Sequence, residues 1–243
     1  MKVDVRDNPS ANVIEGEAEC WSCSQPLAVS EHFCSRCGKV QPMRPMTHFE
    51  FFGLRKKLNL DEARLQKDFY ALSRKLHPDV YARSSGNEQD WSLQKTSQLN
   101  DAYRTLKDPI TRTQYLLSLE GVQLEEQSKA ATDKARQSGE EKKQVVPPEL
   151  LEEVFELNMQ LQELKMGERD PETIAQLESA KKRFEQKLDE STAELKNYWN
   201  AWDSAKDSAA EKQSMDQMVA LLNRRSYIRN LVRDVNTALS EVA

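Results

Sequence analysis

The stretch "YALSRKLHPDVYARSSG", residues 70–86, decides how the middle of this chain folds. With the residues before it, it places apolar side chains at steps of four, three and four, the spacing of one helix face, at Leu65, Phe69, Leu72 and Leu76. Pro78 has no backbone N–H and pushes the residue before it out of helical geometry. We therefore predict a helix that ends near residue 77, with its basic side chains mostly off the apolar face.

Two further helices are predicted downstream. The segment "WSLQKTSQLNDAYRTLK", residues 91–107, follows a polar loop, residues 79–89, and two helices joined by a loop of about ten residues form an antiparallel hairpin. The next segment is "DPITRTQYLLSLEG", residues 108–121. There we predict Asp108 as the N-cap and Pro109 as the first residue of a third helix, with Gly121 just past its end.

The tripeptide His77-Pro78-Asp79 lies at the tip of this predicted hairpin. It can be interpreted as a helix stop, as an active site or as a docking site for another protein. Catalysis by His77 would require a nucleophile or a metal beside it, and the local sequence offers neither. The helix stop and the docking site both remain open on these residues alone.

The composition favours helices and argues against two classes of partner. Charged residues make up 31% of the 243 residues and only 7 are glycine, a balance that favours helices over sheets. The net charge is −5, with a slightly basic middle and an acidic C-terminal part. We expect no nucleic-acid binding, which calls for a basic surface, and no membrane span, which needs roughly 18 apolar residues in a row.

The first 19 residues, "MKVDVRDNPSANVIEGEAE", contain no apolar core of the kind found in secretory signals. They contain five carboxylates, whereas transit peptides are poor in acidic residues. We therefore expect a flexible N-terminus over residues 1–19 and a cytoplasmic protein.

All 4 cysteines fall in "CWSCSQPLAVSEHFCSRC", as two C-x2-C pairs formed by Cys20, Cys23, Cys34 and Cys37. Two such turns can bring four thiolates around one zinc ion, and four thiolates leave no open position for water. Gly38 permits the tight backbone that follows the second pair. We predict a structural zinc site in residues 20–46, a segment too small to fold without its metal.

Other interpretations of the cysteines remain. Two disulfides are disfavoured in a cytosolic chain. Contact of the thiols with an iron–sulfur cluster instead of zinc stays open. A nucleic-acid-binding zinc ribbon is a weaker alternative, because only Lys39 and Arg44 follow the cysteines closely.

The segments "FEFFGL", "YALSRKLHPDVY" and "LNDAYRTLKDP" resemble the J domain of DnaJ-type co-chaperones over roughly residues 47–112. The resemblance implies docking to a DnaK-type ATPase chaperone and stimulation of its ATP hydrolysis. The implied docking residues are the tip, His77, Pro78 and Asp79, and the basic side of the preceding helix, Lys67, Arg74 and Lys75. Asp79 would offer its carboxylate to a cation of the partner, and the basic side would steer an acidic partner.

Three amphipathic helices are predicted after residue 147 and indicate an antiparallel bundle. They are residues 147–166, 170–202 and 214–242. The first is predicted to end at Gly167 and has a core stripe of apolar residues, Leu150, Val154, Leu157, Leu161 and Leu164. A second apolar row lies about 140° away on the same helix, formed by Leu151, Phe155 and Met159. A bundle needs one stripe, so this second row contacts either the J domain or a partner.

The segment "TRTQYLLSLEGV" follows the J domain directly, with no Gly/Phe-rich region. The order of four cysteines, J domain and acidic helical domain resembles the HscB group of iron–sulfur cluster assembly co-chaperones. That resemblance implies binding of an IscU-type scaffold by the C-terminal domain, through Leu151, Phe155, Glu156, Glu163 and Tyr227. Glu152 and Met159 depart from the group's pattern.

We therefore expect an all-α protein: a J-domain helical hairpin and a C-terminal antiparallel three-helix bundle, preceded by a small zinc knuckle. The expected domains are residues 47–121 and 148–243, joined by a linker over residues 122–147. The expected function is that of a non-enzymatic co-chaperone which delivers an IscU-type scaffold to an HscA/DnaK-type chaperone, in the cytoplasm or, for a processed eukaryotic form, in the mitochondrial matrix. The alternatives are a general J-domain co-chaperone for another client and a zinc-ribbon regulator that binds nucleic acid.

Overall fold

The computed structural model describes residues 17–122, 124, 146–166 and 170–241. The chain divides into two compact units, residues 1–116 and 117–243, and each is described by itself. Helices dominate both units, which confirms the predicted all-α class with a small cysteine-rich knuckle. The predicted flexible N-terminus (apart from residues 17–19), nearly all of the predicted linker, and Gly167 lie outside the described residues.

The cysteine-rich segment forms two short hairpin-like turns. Strand β1 (Glu17–Glu19) pairs antiparallel with strand β2 (Pro26–Ala28), with Ala18 opposite Leu27. A single antiparallel bridge joins Phe33 to Val40 around the second cysteine pair. These short pairings leave little apolar core of their own, which is consistent with a segment that depends on a metal.

The first unit continues with helices α1 (His48–Phe51), α2 (Glu62–Leu76), α3 (Gly86–Lys107) and most of α4 (Pro109–Leu119). Helix α2 ends at Leu76, directly before the tripeptide, as predicted. The predicted polar loop over residues 79–89 is wrong in part: residues Pro78–Tyr81 form a 3-10 turn, and α3 begins at Gly86. Ser85 and Glu88 form a reciprocal capping box that starts α3 five residues before the first predicted residue.

Helices α2 and α3 pack antiparallel, as predicted for the hairpin. The Phe69 ring, halfway along α2, stacks on Tyr103 with ring centroids 4.1 Å apart, and at the end of α2 the Leu76 carbonyl accepts from the Ser92 hydroxyl at 2.6 Å. The prediction for α4 is confirmed: the Asp108 carboxylate accepts from the N–H of Ile110 and of Thr111, at 3.0 and 2.8 Å.

Arg112 on α4 is 1% exposed and joins four parts of the first unit. Its Nε donates to the Leu106 carbonyl at 2.6 Å, and Nη1 donates to the Leu58 carbonyl at 2.8 Å. Its Nη2 lies 3.2 Å from the Glu62 carboxylate at the start of α2. A buried guanidinium that saturates backbone carbonyls in this way fixes the end of α3 and the loop before α2 relative to α4.

The second unit contains a 3-10 turn (Pro148–Leu150) followed by helices α5 (Leu151–Lys165), α6 (Pro171–Asp203) and α7 (Ser208–Ser240). Their core contains the predicted stripe of α5 packed with residues of α6 and α7, including Leu177, Phe184, Ile228 and Val235. Helix α7 begins six residues before the predicted start, because the Asp207 carboxylate caps it by accepting from the Ala210 N–H at 2.8 Å. In the described part of the chain, no helix combines the length and apolarity that crossing a bilayer requires.

Candidate metal centre and docking surfaces

The two cysteine pairs occupy two turns of the same geometry. In each turn the first cysteine's carbonyl accepts from the N–H of the residue four positions on, Ser24 after Cys20 and Gly38 after Cys34, both at 2.9 Å. The residue that donates this hydrogen bond has a left-handed backbone in each turn, with φ of +55° at Ser24 and +72° at Gly38. The predicted role of Gly38 is confirmed, whereas the equivalent strain at Ser24 was not expected from its side chain.

Backbone donors point at the first sulfur of each pair. The Ser22 N–H donates to the Cys20 Sγ and the Arg36 N–H to the Cys34 Sγ, both at 3.4 Å. The Gln41 side-chain amide also donates to the Cys20 sulfur, at 3.4 Å. Donors of this kind stabilise a thiolate, the form in which cysteine binds metal.

The four Sγ atoms lie within 4.8 Å of one another. The separations are 3.6 Å between Cys20 and Cys37 and 3.7 Å between Cys23 and Cys34. A tetrahedral zinc with Zn–S bonds of about 2.3 Å places its sulfurs about 3.8 Å apart. A disulfide would need about 2.05 Å. The four cysteines are therefore positioned to hold one metal ion, and they form no disulfide.

The thiols also differ in their electrostatics. Burial raises the pKa of Cys20, but hydrogen bonds from Ser22, Cys23 and Gln41 outweigh it and lower that pKa to about 6. A hydrogen bond from Gln25 lowers the pKa of Cys23, but burial and the neighbouring thiols together raise it to about 12. Four crowded thiols cannot all ionise near neutral pH unless a cation supplies compensating charge, and a divalent metal ion does so.

The cysteine segment is attached to the J-type hairpin by residues between and just after the cysteines. Lys39 forms an ion pair with Glu88 at 2.8 Å, and the Glu88 side chain is 95% buried. Trp21 packs edge-on against Trp91 of α3, with ring centroids 5.3 Å apart, and donates from its indole nitrogen to the Val40 carbonyl at 2.8 Å. These contacts were not predicted. The position of Trp21 next to Cys20 could have indicated that this side chain packs against another part of the chain.

His32 and Lys95 form a second buried link. The His32 Nε2 lies 2.8 Å from the Phe51 carbonyl, and its Nδ1 lies 3.3 Å from the Lys95 ammonium. Burial and the charge of Lys95 lower the pKa of His32 to about 4, so the ring is neutral, with Nε2 donating and Nδ1 accepting. His32 therefore links the cysteine segment to α1 and α3, and both of its ring nitrogens are engaged in these contacts rather than pointing at the cysteine sulfurs.

The tripeptide lies exposed at the tip of the hairpin. The Asp79 N–H donates to the His77 Nδ1 at 3.3 Å. The Asp79 carboxylate is 90% exposed. Within the described residues, both polar contacts of the His77 ring are with Asp79: its backbone N–H at 3.3 Å and its carboxylate at 3.4 Å.

Side chains of α3 and the 3-10 turn hold this tip in place. The Leu76 carbonyl, which has no helical N–H to accept from because α2 ends at this residue, accepts from the Ser92 hydroxyl at 2.6 Å and the Thr96 hydroxyl at 2.9 Å. The Tyr81 hydroxyl donates to the Lys75 carbonyl at 3.1 Å. These three hydroxyls were missed by the sequence analysis, because each acts on a carbonyl distant in the sequence or outside any motif.

The predicted basic side of α2 is exposed. Lys67, Arg74 and Lys75 all project from it, and in the described part of the chain no carboxylate lies within ion-pair distance of any of them. The Lys75 ammonium lies 5.9 Å from the centre of the Phe33 ring, over the edge of the cysteine segment. The three cations are thus available to a partner.

On α5, the second apolar row lies in solvent. Leu151 is 55% and Phe155 67% exposed, and Met159 is also exposed. Helical geometry places Glu156 and Glu163 together along one side of this row. Tyr227 on α7 is instead half-buried against the bundle core. The structure thus brings the predicted α5 residues onto one surface and places Tyr227 at least partly in the core.

Comparisons with known proteins agree with this architecture. The DnaJ domain model matches residues 47–115, and the model described as the HSCB C-terminal oligomerisation domain matches residues 146–236. A co-chaperone protein HscB homologue of Vibrio vulnificus (strain YJ016) is 32% identical over 163 residues, which are 67% of this chain and 86% of that protein. The chain belongs to the HscB family of co-chaperones.

Two eukaryotic HscB proteins extend the comparison over more of the chain. The mouse protein, named an iron-sulfur cluster co-chaperone, is 27% identical over 217 residues, which are 88% of this chain and 79% of that one. The crystal structure of human co-chaperone protein HscB superposes with a TM-score of 0.62 at 24% identity and covers 90% of this chain and 98% of its own. This likeness supports the fold of the HscB chain, including a J domain.

Proposed function

We propose that this HscB chain is a non-enzymatic adaptor in iron–sulfur cluster assembly. Its C-terminal bundle binds an IscU-type scaffold, and its J domain presents that scaffold to an HscA/DnaK-type chaperone and stimulates the chaperone's ATPase. The observation that carries the proposal is the presence of two solvent-exposed surfaces with different chemistry on the two units: the basic α2 face with its tip, and the apolar α5 row with its acids.

The chaperone side uses charge and a rigid tip. Lys67, Arg74 and Lys75 have no carboxylate partner within the described residues, so they can attract an acidic surface before contact. The Asp79 carboxylate is free to accept a charge-assisted hydrogen bond from a cation of the chaperone. The hydrogen bond from the Ser92 hydroxyl to the Leu76 carbonyl keeps the tip ordered before docking, and this reduces the conformational entropy lost on binding.

The scaffold side uses apolar area. Leu151 and Phe155 are both more than half exposed although they lie on a helix whose opposite face is fully packed. Apolar anchors with an acidic edge at Glu156 and Glu163 are the composition of a protein-binding patch, in which the apolar residues supply affinity and the charges supply selectivity.

The metal is proposed to be zinc in a structural role. Four thiolates close the coordination shell, so the ion holds the two turns together and has no position for a substrate. Free thiols at metal-binding distance also favour a reducing compartment, and we propose the cytoplasm, or the mitochondrial matrix if the chain is a processed eukaryotic form.

The chaperone arm is tested by the steady-state ATPase rate of a purified HscA/DnaK-type chaperone with wild-type protein and with the His77→Gln variant. We expect wild-type protein to raise the rate, and His77→Gln to abolish the stimulation while binding of the scaffold is retained. Stimulation that survives the substitution would refute the role assigned to the tip.

The scaffold arm is tested by calorimetric titration of purified IscU into the full chain. We expect micromolar binding that Phe155→Ala weakens about tenfold or more, the loss expected for a central aromatic anchor. Leu93→Ala is the matched control, since Leu93 is similarly exposed but lies on α3. No binding by wild-type protein would instead favour a general J-domain co-chaperone for another client.

A further inference from the structure

A groove of about 450 Å³ lies between the cysteine segment and the J-domain helices within the first unit. Its surface is mainly apolar and is contributed by Phe33 of the segment, Phe52 just after α1, and Ala71 and Leu72 of α2. Neither a J domain alone nor the cysteine segment alone would form it, because each supplies one wall. The groove therefore exists only in the combined unit.

The groove contains two carboxylates, of which one oxygen has no hydrogen-bond partner among the described residues. Glu31 lines it, and its Oε2 is shielded from solvent yet has no hydrogen-bond partner among the residues that the structure describes. Asp68, also in the lining, is paired only loosely, with Arg64 at 3.7 Å. A shielded carboxylate oxygen without a donor is costly, and a cationic ligand would remove that cost.

The groove adjoins the basic face of α2. Ala71, in its wall, lies one helical turn from Lys67 on one side and from Lys75 on the other. Lys75 already reaches across to the Phe33 ring. A chaperone that docks on the α2 face therefore meets this groove at the edge of the same interface.

We propose that the groove receives an arginine or lysine side chain of the docked ATPase chaperone. The aliphatic stem of such a side chain packs on the apolar wall, and its charged head pairs with Glu31. This inference rests on the proposed chaperone docking and extends it. To match an acidic groove beside a basic helix, the chaperone must carry a cation next to an acidic surface. This requirement fixes how the two proteins align and discriminates between related chaperones.

The test compares Glu31→Gln with Glu19→Gln in the full metal-loaded chain. Glu19 is an exposed acid of the same segment that does not line the groove. In an ATPase titration against the purified chaperone, we expect Glu31→Gln to raise the concentration for half-maximal stimulation about tenfold, the loss of one charge-assisted contact, with the maximal rate unchanged. Glu19→Gln should stay within about twofold of wild type.

The possible results separate this inference from the proposed function. If wild-type protein stimulates the chaperone but Glu31→Gln behaves like Glu19→Gln, the groove proposal is wrong and the docking of the tip stands. If wild-type protein does not stimulate the chaperone's ATPase at all, the proposed function is wrong, and so is this inference, which depends on it.

Two further measurements guard against a purely structural effect. Because Glu31 Oε2 has no hydrogen-bond partner in the described part of the chain, Glu31→Gln should melt at the wild-type temperature or higher; a lower melting temperature would reveal an internal ion pair and overturn the proposal. A photo-crosslinking residue at Ser30, on the groove, should capture the purified chaperone, and the same residue at position 19 should not. Equal capture at both positions, or none at Ser30, would count against the groove.

Discussion

The ion pair between Lys39 and Glu88 predicts that the cysteine segment stabilises the J domain. Replacing Lys39 with Met keeps an aliphatic chain next to Trp21, whose ring centre lies 6.0 Å from the Lys39 ammonium, and removes only the charge. The Glu88 carboxylate would then remain buried, with Ser85 as its remaining donor among the described residues. A hydrogen bond to a charged group contributes about 1.5–3 kcal/mol, so we expect a loss of about 2 kcal/mol in the free energy of unfolding.

For a unit of this size that loss corresponds to a decrease of about 10 °C in the melting temperature. The assay is calorimetric unfolding of the metal-loaded chain, with Lys57→Met as the control, since Lys57 is exposed and has no ion pair in the described part of the chain. In a Glu88→Gln background the same substitution should cost less than about 0.5 kcal/mol, because the buried charge is gone. An equal cost in both backgrounds, or a shift below about 2 °C in the wild-type background, would refute the reasoning.

Three other predictions concern the metal, Arg112 and pH. The purified chain should contain one zinc per molecule, and a strong chelator should release it with loss of protection from hydrogen exchange in residues 20–40; protection that survives metal release would contradict this. Arg112→Met should lower the free energy of unfolding by about 3–5 kcal/mol in urea titrations, since it removes the buried guanidinium that donates to the Leu58 and Leu106 carbonyls and pairs with Glu62. The ion pair with Lys39 lowers the pKa of Glu88 in the folded protein below its value in the unfolded chain. The stabilisation from this ion pair is therefore complete above about pH 4.5 and is lost as the pH falls through the folded-state pKa. Below about pH 4.5 wild type should lose unfolding free energy faster than Glu88→Gln, and parallel plots of stability against pH would refute the assignment.

The sequence predicts those features whose causes lie close together in the chain. Each of the two cysteine pairs, the stop at Pro78 and the cap at Asp108 depends on residues within about four positions of one another, and the structure confirms the helix stop and the cap and brings the two pairs together. The start of α3 could also have been predicted, because Ser85 and Glu88 have the spacing of a capping box. It was missed because the residues around it are polar and give no apolar period.

The rest depends on contacts between residues far apart in the chain. Lys39 and Glu88 are 49 positions apart, and Lys95 and His32 are 63 positions apart. Charged side chains are usually exposed, so residue type alone places Glu88 and Lys95 on the surface. Both side chains are nevertheless buried, in contact with Lys39 and His32 of the cysteine segment, and no periodic pattern in either stretch predicts those contacts.

The groove at Glu31 has the same origin. Its walls come from three stretches of the chain, around residues 30–33, 51–53 and 68–72. Each stretch has an ordinary local explanation, as a loop, a short helix or part of a helix face. The negative groove appears only when the three are brought together, so the sequence alone gives no sign of it.

The position of the cysteine segment has a consequence for which of its residues can be exchanged. The segment packs on α3 through the Lys39–Glu88 ion pair and the Trp21–Trp91 ring contact. Its removal would hydrate the Glu88 carboxylate but would also uncover the Trp91 ring, whereas loss of Lys39 alone would leave that carboxylate covered without its cation. We therefore expect the contact residues of the segment and of α3 to change together rather than singly.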